Sequence, residues 1–406
     1  MKFFENGDGI TEPRGFFGSG VHCDVKGTRD GKLDLGIIYS KRACSAAGVF
    51  TTNDVKAAPV TYCQGILVEK GATFHGVVAN SGNANACTGP QGETDTKKMA
   101  SEVARHLGVH SKEILVFSTG RIGVLLPMSK ITAGIRAATD DIIREFDGAR
   151  AFQEAILTSD TCTKSCSAKI DTPTGEVTIG GVVKGAGMIE PNMATMLAFL
   201  TTDAGASNAF LQPILQQAVD RSFNRMTIDG DMSTNDSVVL LANNATGINL
   251  EKEETKVVER FSEAVEEVCS CLARKCVSDG EKVTKFVKVR VNGAKNNEDA
   301  QKVARCIANS LLVKTSWYGS DPNWGRLVDA AGYAKVGLDF AKLDLFYGHV
   351  PALIDGQPLP ANKSQWKEIV SKKEFTITLD LKMKKGTAEI WTNDLSEEYV
   401  NFNKSE

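Results

Sequence analysis

A threonine at the head of an apolar strand, Thr195, has the sequence setting that most clearly suggests chemistry. The segment 184–200, KGAGMIEPNMATMLAFL, passes through a glycine-rich turn to Ala194-Thr195 and then enters the apolar stretch MLAFL. A hydroxyl in this position can attack the preceding carbonyl, and hydrolysis of the resulting ester frees a new N-terminus. The freed α-amine, with an ordinary pKa of about 7.7–8.0, can act as base for its own hydroxyl. The alternative is a threonine that only begins a strand.

Four further segments are rich in Gly, Asn, Thr and Asp: residues 80–89, 117–123, 223–236 and 320–326. Such segments pack poorly in a core, and they present backbone N–H groups and small hydroxyls to ligands. None of them contains a P-loop, a GxGxxG fingerprint or a GxSxG elbow. Each alone is compatible with an ordinary turn. Together with residues 184–196, they predict loops that line a shared cleft.

The composition excludes several classes of protein. The 406 residues carry a net charge of −3, 42% are apolar and 24% are charged, which is typical of globular domains and not of disordered or collagenous chains. The balanced charge predicts no nucleic-acid partner, and no apolar run approaches the ~18 residues that span a bilayer. The ten cysteines match no zinc-binding spacing, so we expect no metal. Their pattern fits reduced thiols in the cytoplasm, and the start lacks the apolar stretch of a secretory signal.

Around the polar segments, the sequence predicts alternating strands and helices. Apolar runs predict strands before the loops, and the helix over residues 93–107 is expected to end at Gly108. Ser207 is a candidate N-cap of the next long helix. Residues 374–383 and 387–393 are predicted to pair as a hairpin across the turn between them. The predicted class is α/β, with α and β mixed, arranged as a two-lobed sandwich of sheets and helices.

The segment 184–200 resembles the cleavage segment of the arginine-biosynthesis ornithine acetyltransferase family, also called bifunctional glutamate N-acetyltransferases. Other segments resemble that family in the same order along the chain, from about residue 15 to residue 403: GVFTTNDVKAAPV, VVANSGNANACTG, STGRIGVLLPM, SFNRMTIDGDMSTND, SDPNWGR and YVNFN. One such segment would be a weak match, whereas the ordered set is specific. The sequence departs from the family's apolar or small residues at Arg121, Lys282 and Val283.

The resemblance implies a self-processed enzyme with an N-terminal-nucleophile-like fold. Cleavage between Ala194 and Thr195 would give an α chain, residues 1–194, and a β chain, residues 195–406, which share one active-site cleft. Thr195 would be the nucleophile that carries the acetyl group. Thr119 and Gly120 would form the oxyanion hole, in which one donor is typically worth about 10²–10³ in rate. The implied substrate-binding residues are Thr161, Lys184, Thr195, Glu281 and Asn403.

The implied reaction is acetyl transfer from N2-acetylornithine to glutamate, which gives ornithine and N-acetylglutamate by ping-pong kinetics. Lys184 is expected to bind a substrate carboxylate, and Glu281 the ammonium of ornithine. No cofactor is expected, acetyl-CoA stays open as a second acetyl donor, and two α and two β chains are expected to associate. Two alternatives remain: a threonine amidohydrolase or aminopeptidase, in which water resolves the same ester, and a binding protein that retains only the fold.

Overall fold

The computed structural model describes residues 1–28, 30–143, 148–190 and 196–404, without the side chain of residue 143. Ala194 and Thr195, the predicted cleavage pair, lie outside these ranges. The chain divides into two compact units. The first consists of Met1–Asn224 and Met232–Cys276, and the second of Arg225–Asp231 and Val277–Glu406. Both units combine sheets and helices, which confirms the predicted mixed α/β class.

The first unit contains one sheet, which the described residues form from nine strands. The strands are β1 (Lys2–Phe4), β2 (Phe16–Val21), β3 (Leu35–Phe50), β4 (Phe74–Asn80), β5 (Ile114–Ser118), β6 (Lys164–Thr172), β7 (Gly175–Lys184), β8 (Leu197–Thr202) and β9 (Ser237–Ala242). Their order is β1-β6-β7-β8-β9-β3-β4-β5, and β2 also pairs with β3. The long strand β3 takes part in two regions of the sheet. Its first half pairs with β2 and β4, and its second half pairs with β9.

The central strands of this sheet are buried, as their continuous apolar sequences predict. Every residue of β8 and of β9 is buried, and these two strands run parallel. The helices of this unit are α1 (Ala58–Leu67), α2 (Gly89–Leu107), α3 (Met128–Ile143), α4 (Ala149–Ala155), α5 (Asn208–Arg221) and α6 (Thr255–Ser278), the last of which runs on into the second unit. Apolar side chains of α2 and α3 form one core cluster with those of β4 and β5.

Two predicted helix ends are confirmed. Gly108 ends α2 in the left-handed conformation, with φ +71°, which a glycine adopts without steric cost. The Ser207 side chain accepts a hydrogen bond from the Phe210 N–H at 3.2 Å and so caps α5. Among the described helices, none combines the length and the apolar character that crossing a membrane requires.

The second unit contains a sheet in the order β13-β12-β11-β14-β10-β15. These strands are β10 (Phe286–Ala294), β11 (Asp344–Tyr347), β12 (Val350–Ile354), β13 (Gln357–Pro358), β14 (Glu374–Asp380) and β15 (Gly386–Asn393). The helices are α7 (Asn297–Asn309), α8 (Leu311–Tyr318), α9 (Trp324–Gly332), α10 (Lys363–Val370) and α11 (Glu397–Asn403). Apolar residues of α7 and of the sheet share one core.

The predicted hairpin between residues 374–383 and 387–393 is wrong. The corresponding strands β14 and β15 do not pair with each other, because β10 lies between them. β10 pairs in parallel with β14 and antiparallel with β15. Val287, Val289 and Val291, at alternating positions of β10, are fully buried. β10 therefore contributes an apolar face to the core of the second unit.

Candidate active site

Thr119 and Gly120 form the turn that follows β5. Thr119 is buried, and its N–H donates to the Asn80 carbonyl at 3.0 Å, which ties the turn to the end of β4. Gly120 has φ +129°, and a Cβ added there would lie 2.4 Å from the Gly82 carbonyl carbon and 2.5 Å from the Asn83 nitrogen. Only glycine fits this position, because it tolerates both the positive φ and the close contact. The group that comes close to Gly120 is therefore the neighbouring loop of the protein, at Gly82 and Asn83.

Two asparagine amides, those of Asn83 and Asn235, join the polar segments to one another and to the residues that directly follow segment 117–123. The Asn83 amide donates to the carbonyls of Val124 and Leu125 at 3.0 and 3.2 Å. The Asn235 amide donates to the carbonyls of Ala84 and Ser118 at 2.6 and 2.8 Å. Contacts therefore join three of the polar segments: 80–89, 117–123 and the end of 223–236. The prediction that these loops line a shared cleft requires such contacts. Buried amides that satisfy carbonyls in this way make a turn rigid.

The Lys184 ammonium lies beside the Thr119 hydroxyl. Lys184 is the last residue of β7, is only 2% exposed, and its Nζ donates to Thr119 Oγ1 at 3.2 Å and to Thr158 Oγ1 at 2.7 Å. Because the Thr119 oxygen accepts from this cation, its own hydroxyl proton is left to donate elsewhere. Burial lowers the pKa of Lys184, and the nearby Asp160 carboxylate opposes that shift.

The Asp160 carboxylate balances two buried ammonium groups. Its oxygens lie 2.6 Å from Lys164 Nζ and 4.0 Å from Lys184 Nζ, and one of them accepts from the Gly185 N–H at 2.6 Å. Burial alone would raise the pKa of Asp160, but the two cations and the hydrogen bonds outweigh it and lower the pKa to about 2. A buried carboxylate with these partners stays ionised near neutral pH. It therefore offsets part of the effect of burial on Lys184.

Sequence reasoning missed Thr158 and Asp160 and selected Thr161 from the same stretch. Thr161 is exposed in the connection before β6, whereas Thr158 contacts Lys184 directly. The run Thr158-Ser159-Asp160 consists of residue types that cap helices and form turns, and the Thr158 N–H does donate to Asp160 at 3.2 Å. These local roles do not indicate that Thr158 also contacts Lys184 of β7. The structure does not test a substrate contact for Thr161, which remains a prediction.

A second buried carboxyl, that of Asp236, directly precedes β9. Its Oδ1 accepts from the Met196 N–H at 2.9 Å, and Ser233 also hydrogen-bonds to the carboxyl. Burial raises the pKa of Asp236 well above its ordinary value, while the Met196 N–H, the Lys184 cation and the hydrogen bonds from Ser233 oppose that rise. Met196 directly follows the predicted nucleophile in the sequence.

In the second unit, the structure brings together two of the predicted substrate-binding residues, Glu281 and Asn403. The Asn403 amide of α11 donates to Glu281 Oε2 at 2.9 Å. Lys282, one of the departures from the family pattern, adopts φ +56°, and its ammonium lies 5.3 Å from the centre of the Phe402 ring. This cation–π contact and the hydrogen bond from the Asn403 amide both join α11 to the turn that contains Glu281. Arg121, another departure, is exposed to solvent.

The comparisons with known proteins agree with the resemblance noted in the sequence. The sequence profile of the ArgJ family matches residues 18–405. The arginine biosynthesis bifunctional protein ArgJ of Thermotoga neapolitana is 45% identical over 395 residues, which cover 96% of this chain and 98% of that protein.

Two solved structures are also similar to the chain. The crystal structure of arginine biosynthesis bifunctional protein argJ from Bacillus halodurans is 34% identical and covers 51% of this chain and 98% of its own, with a TM-score of 0.48. Ornithine acetyltransferase of Mycobacterium tuberculosis, complexed with ornithine, is 35% identical and covers 47% of this chain and 98% of its own, with a TM-score of 0.42.

Proposed function

Since the chain belongs to the ArgJ family, we propose that the Thr119, Lys184 and Asp160 group described above serves acetyl transfer to and from Thr195. The chain is an acyltransferase of arginine biosynthesis, and it moves an acetyl group from N2-acetylornithine to glutamate. Membership of the family over residues 18–405 is the observation that carries this conclusion. The finer assignments below are proposals for individual residues.

The reaction proceeds in two half-reactions through an acetyl ester on Thr195. In the first, the Thr195 hydroxyl attacks the acetyl carbonyl of N2-acetylornithine, the C–N bond breaks, and ornithine leaves after its nitrogen gains the hydroxyl proton. In the second, the glutamate amine attacks the ester, the C–O bond breaks, and Thr195 recovers a proton. The free α-amine of Thr195 serves as the base. The sequence supplies this amine once the chain is cut before residue 195.

The negative charge that develops on the acetyl oxygen is stabilised by Thr119 and Gly120. The Thr119 hydroxyl is suited to this role, because its oxygen already accepts from Lys184 and its proton is left to donate. Lys184 and Asp160 thereby orient the donor in advance, and a donor that is oriented before the reaction needs no reorganisation during it. This positioning role for Lys184 stands beside the predicted contact with a substrate carboxylate.

Glu281 and Asn403 are proposed to bind the ornithine part of the donor. The Glu281 carboxylate complements an ammonium group that ornithine has and glutamate lacks. The bond from the Asn403 amide uses one carboxylate oxygen and fixes the orientation of the group. Thr161 and Lys184 complete the proposed substrate-binding set.

The proposed cleavage between Ala194 and Thr195 leaves fragments that stay associated. β7 precedes the cut and pairs with β8, which follows it, from Ile179↔Thr202 to Lys184↔Leu197. β9 of the second fragment also pairs with β3 of the first, from Ser45↔Ala242 to Phe50↔Ser237. Separation would expose two rows of buried backbone groups. We propose further that two α and two β chains assemble, and that the enzyme works in the cytoplasm, where its ten cysteines fit a reducing environment.

One assay tests the function and its main alternative. Purified protein is given N2-acetylornithine with and without glutamate, and ornithine and N-acetylglutamate are both measured. Transfer predicts ornithine release that depends on glutamate, with equal amounts of the two products. Ornithine release at the same rate without glutamate would establish a hydrolase instead. A third arm with acetyl-CoA and glutamate tests whether acetyl-CoA is a second donor.

A further inference from the structure

The side-chain amide of Asn235 is a buried group of the first unit to which the reaction above assigns no role. Asn235 is only 4% exposed, and its Nδ2 donates to the carbonyls of Ala84 and Ser118 at 2.6 and 2.8 Å. Its Oδ1 accepts from the Thr234 hydroxyl at 2.5 Å. The amide nitrogen and the amide oxygen are therefore both bonded, which fixes the orientation of the side chain.

The Ser118 carbonyl that Asn235 binds belongs to the peptide group that leads into Thr119. The N–H of the same planar group, that of Thr119, donates to the Asn80 carbonyl at 3.0 Å. The side-chain oxygen of Asn80 also accepts from the Ser118 hydroxyl at 2.7 Å. Because both ends of this peptide group are bonded, it is held against rotation. Its plane sets the direction in which Thr119 and Gly120 follow.

The Ala84 carbonyl connects the same amide to the other side of the turn. Ala84 donates its own N–H to the Arg121 carbonyl at 2.9 Å. Arg121 directly follows Gly120 in the sequence, as Ser118 directly precedes Thr119. One side chain therefore holds the residues on both sides of the turn, the first by a direct hydrogen bond and the second through Ala84.

These hydrogen bonds join the two proposed fragments at the turn that carries the oxyanion hole. Ala84, Ser118 and Thr119 would lie in fragment 1–194, whereas Asn235 would lie in fragment 195–406. A displacement of about 1 Å at a catalytic group can lower the rate by about 10²-fold, even when its cause lies away from the reacting atoms. The rate of the reaction should therefore depend on Asn235, although its amide is already occupied by protein carbonyls.

We propose that Asn235 is a positioning residue of acetyl transfer, which holds the turn of Thr119 and Gly120 where its donors stabilise the acetyl oxygen. The inference rests on the oxyanion-hole role proposed above for these two residues. The acetyl oxygen becomes negative in both half-reactions, once when Thr195 attacks and once when glutamate attacks. Because the same donors serve both, loss of their positioning should slow both half-reactions to a similar extent and change substrate binding little. A substrate-binding residue would instead affect KM or mainly one half-reaction.

The test compares Asn235→Ala with Asn243→Ala in the purified enzyme. Asn243 is also buried, follows β9 where Asn235 precedes it, and donates from its amide to the Arg14 carbonyl at 2.8 Å. Rapid-quench measurements follow acetylation of the enzyme by N2-acetylornithine and transfer of the acetyl group to glutamate, and steady-state kinetics give kcat and KM. We expect Asn235→Ala to slow both half-reactions by about 10–10² with nearly unchanged KM. Asn243→Ala should lower the thermal unfolding midpoint and keep both rates near those of the wild type.

Two further variants separate positioning from general damage to the fold. In Thr119→Ala the donor hydroxyl is already absent, so adding Asn235→Ala should slow the reaction by a smaller factor than it does in the wild type. Thr234→Val keeps the shape of the side chain and removes the hydroxyl that bonds to the Asn235 oxygen. We expect a smaller loss of kcat for Thr234→Val, again in both half-reactions. If Asn235→Ala does not fold, as judged by circular dichroism, or is not cut, unchanged rates of Thr234→Val refute the proposal.

The outcomes separate this inference from the proposed function. If the wild-type enzyme transfers no acetyl group, the proposed function is wrong, and if Thr119→Ala is as fast as the wild type, the oxyanion-hole role is wrong. If Thr119→Ala is slow and Asn235→Ala is as fast as the wild type, only the role of Asn235 is overturned. A rise in KM alone, a loss confined to one half-reaction, or an equal loss of rate in Asn243→Ala would also overturn it.

Discussion

Replacing Lys184 with methionine should lower the rate of acetyl transfer more than it weakens substrate binding. The substitution leaves an unbranched side chain that is one atom shorter, and it removes the ammonium that lies 3.2 Å from Thr119 Oγ1 and 2.7 Å from Thr158 Oγ1. Without the Lys184 ammonium, the Thr119 hydroxyl is no longer held with its proton pointing away from residue 184. A hydroxyl that stabilises charge only in the transition state affects kcat and leaves KM nearly unchanged.

The magnitude follows from what the substitution leaves behind. Complete removal of an oxyanion-hole donor lowers the rate by about 10²–10³. Lys184→Met leaves the Thr119 hydroxyl in place but free to rotate, so we expect a smaller loss of kcat, about 10–10². Breaking a buried ion pair typically costs about 3–5 kcal/mol. Here Asp160 keeps Lys164 at 2.6 Å and the Gly185 N–H at 2.6 Å, so we expect about 1–3 kcal/mol of unfolding free energy to be lost.

Steady-state kinetics with N2-acetylornithine and glutamate measure the effect, and Lys285→Met is the matched control. Lys285 is also buried, and its ammonium donates to the carbonyls of Trp317 and Val370 in the second unit. The control should lose stability with little loss of kcat. Thr119→Ala combined with Lys184→Met should be no slower than Thr119→Ala alone, because both changes remove one function. A rise in KM with unchanged kcat for Lys184→Met would show a carboxylate-binding residue and refute the positioning role.

Three further predictions concern single residues. Thr119→Ala should lower kcat by about 10²–10³ with little change in KM; a rise in KM alone would make Thr119 a substrate contact. Glu281→Gln should weaken the acetylornithine half-reaction more than the glutamate half-reaction, by about 2–5 kcal/mol if the contact is desolvated; equal losses in stopped-flow measurements of both halves would contradict a donor site. Asp160 has its pKa lowered from 3.8 to about 2, so the ionised carboxylate adds about 2 kcal/mol of stability above pH 4 that is lost as the pH falls towards 2. In acid unfolding experiments, the stability of Asp160→Asn should not fall in this way between pH 4 and pH 2. If its stability falls as in the wild type, another group causes the pH dependence.

Local patterns in the sequence were sufficient for many of the elements but not for their pairing. The end of α2 at Gly108 and the cap of α5 at Ser207 depend on contacts within a few residues, and both are confirmed. The predicted hairpin failed because a turn-like Lys385-Gly386 looks the same whether or not a third strand intervenes. β10 pairs with β14 over a long sequence separation, from Phe286↔Glu374 to Asn292↔Asp380. The spacing of apolar residues along a strand does not indicate which distant strand will pair with it.

The polar residues of the site illustrate the same limit more sharply. Thr158, Asp160 and Asp236 are residue types that are common in turns, and all three lie beside turns or strand ends. Their distinctive property is their position around the buried ammonium of Lys184, which β7 brings to them from elsewhere in the sequence. Charge buried in this way is tolerated only when partners compensate for lost hydration. Asp160 and Thr158 supply such partners to Lys184, and no local sequence pattern shows that they do.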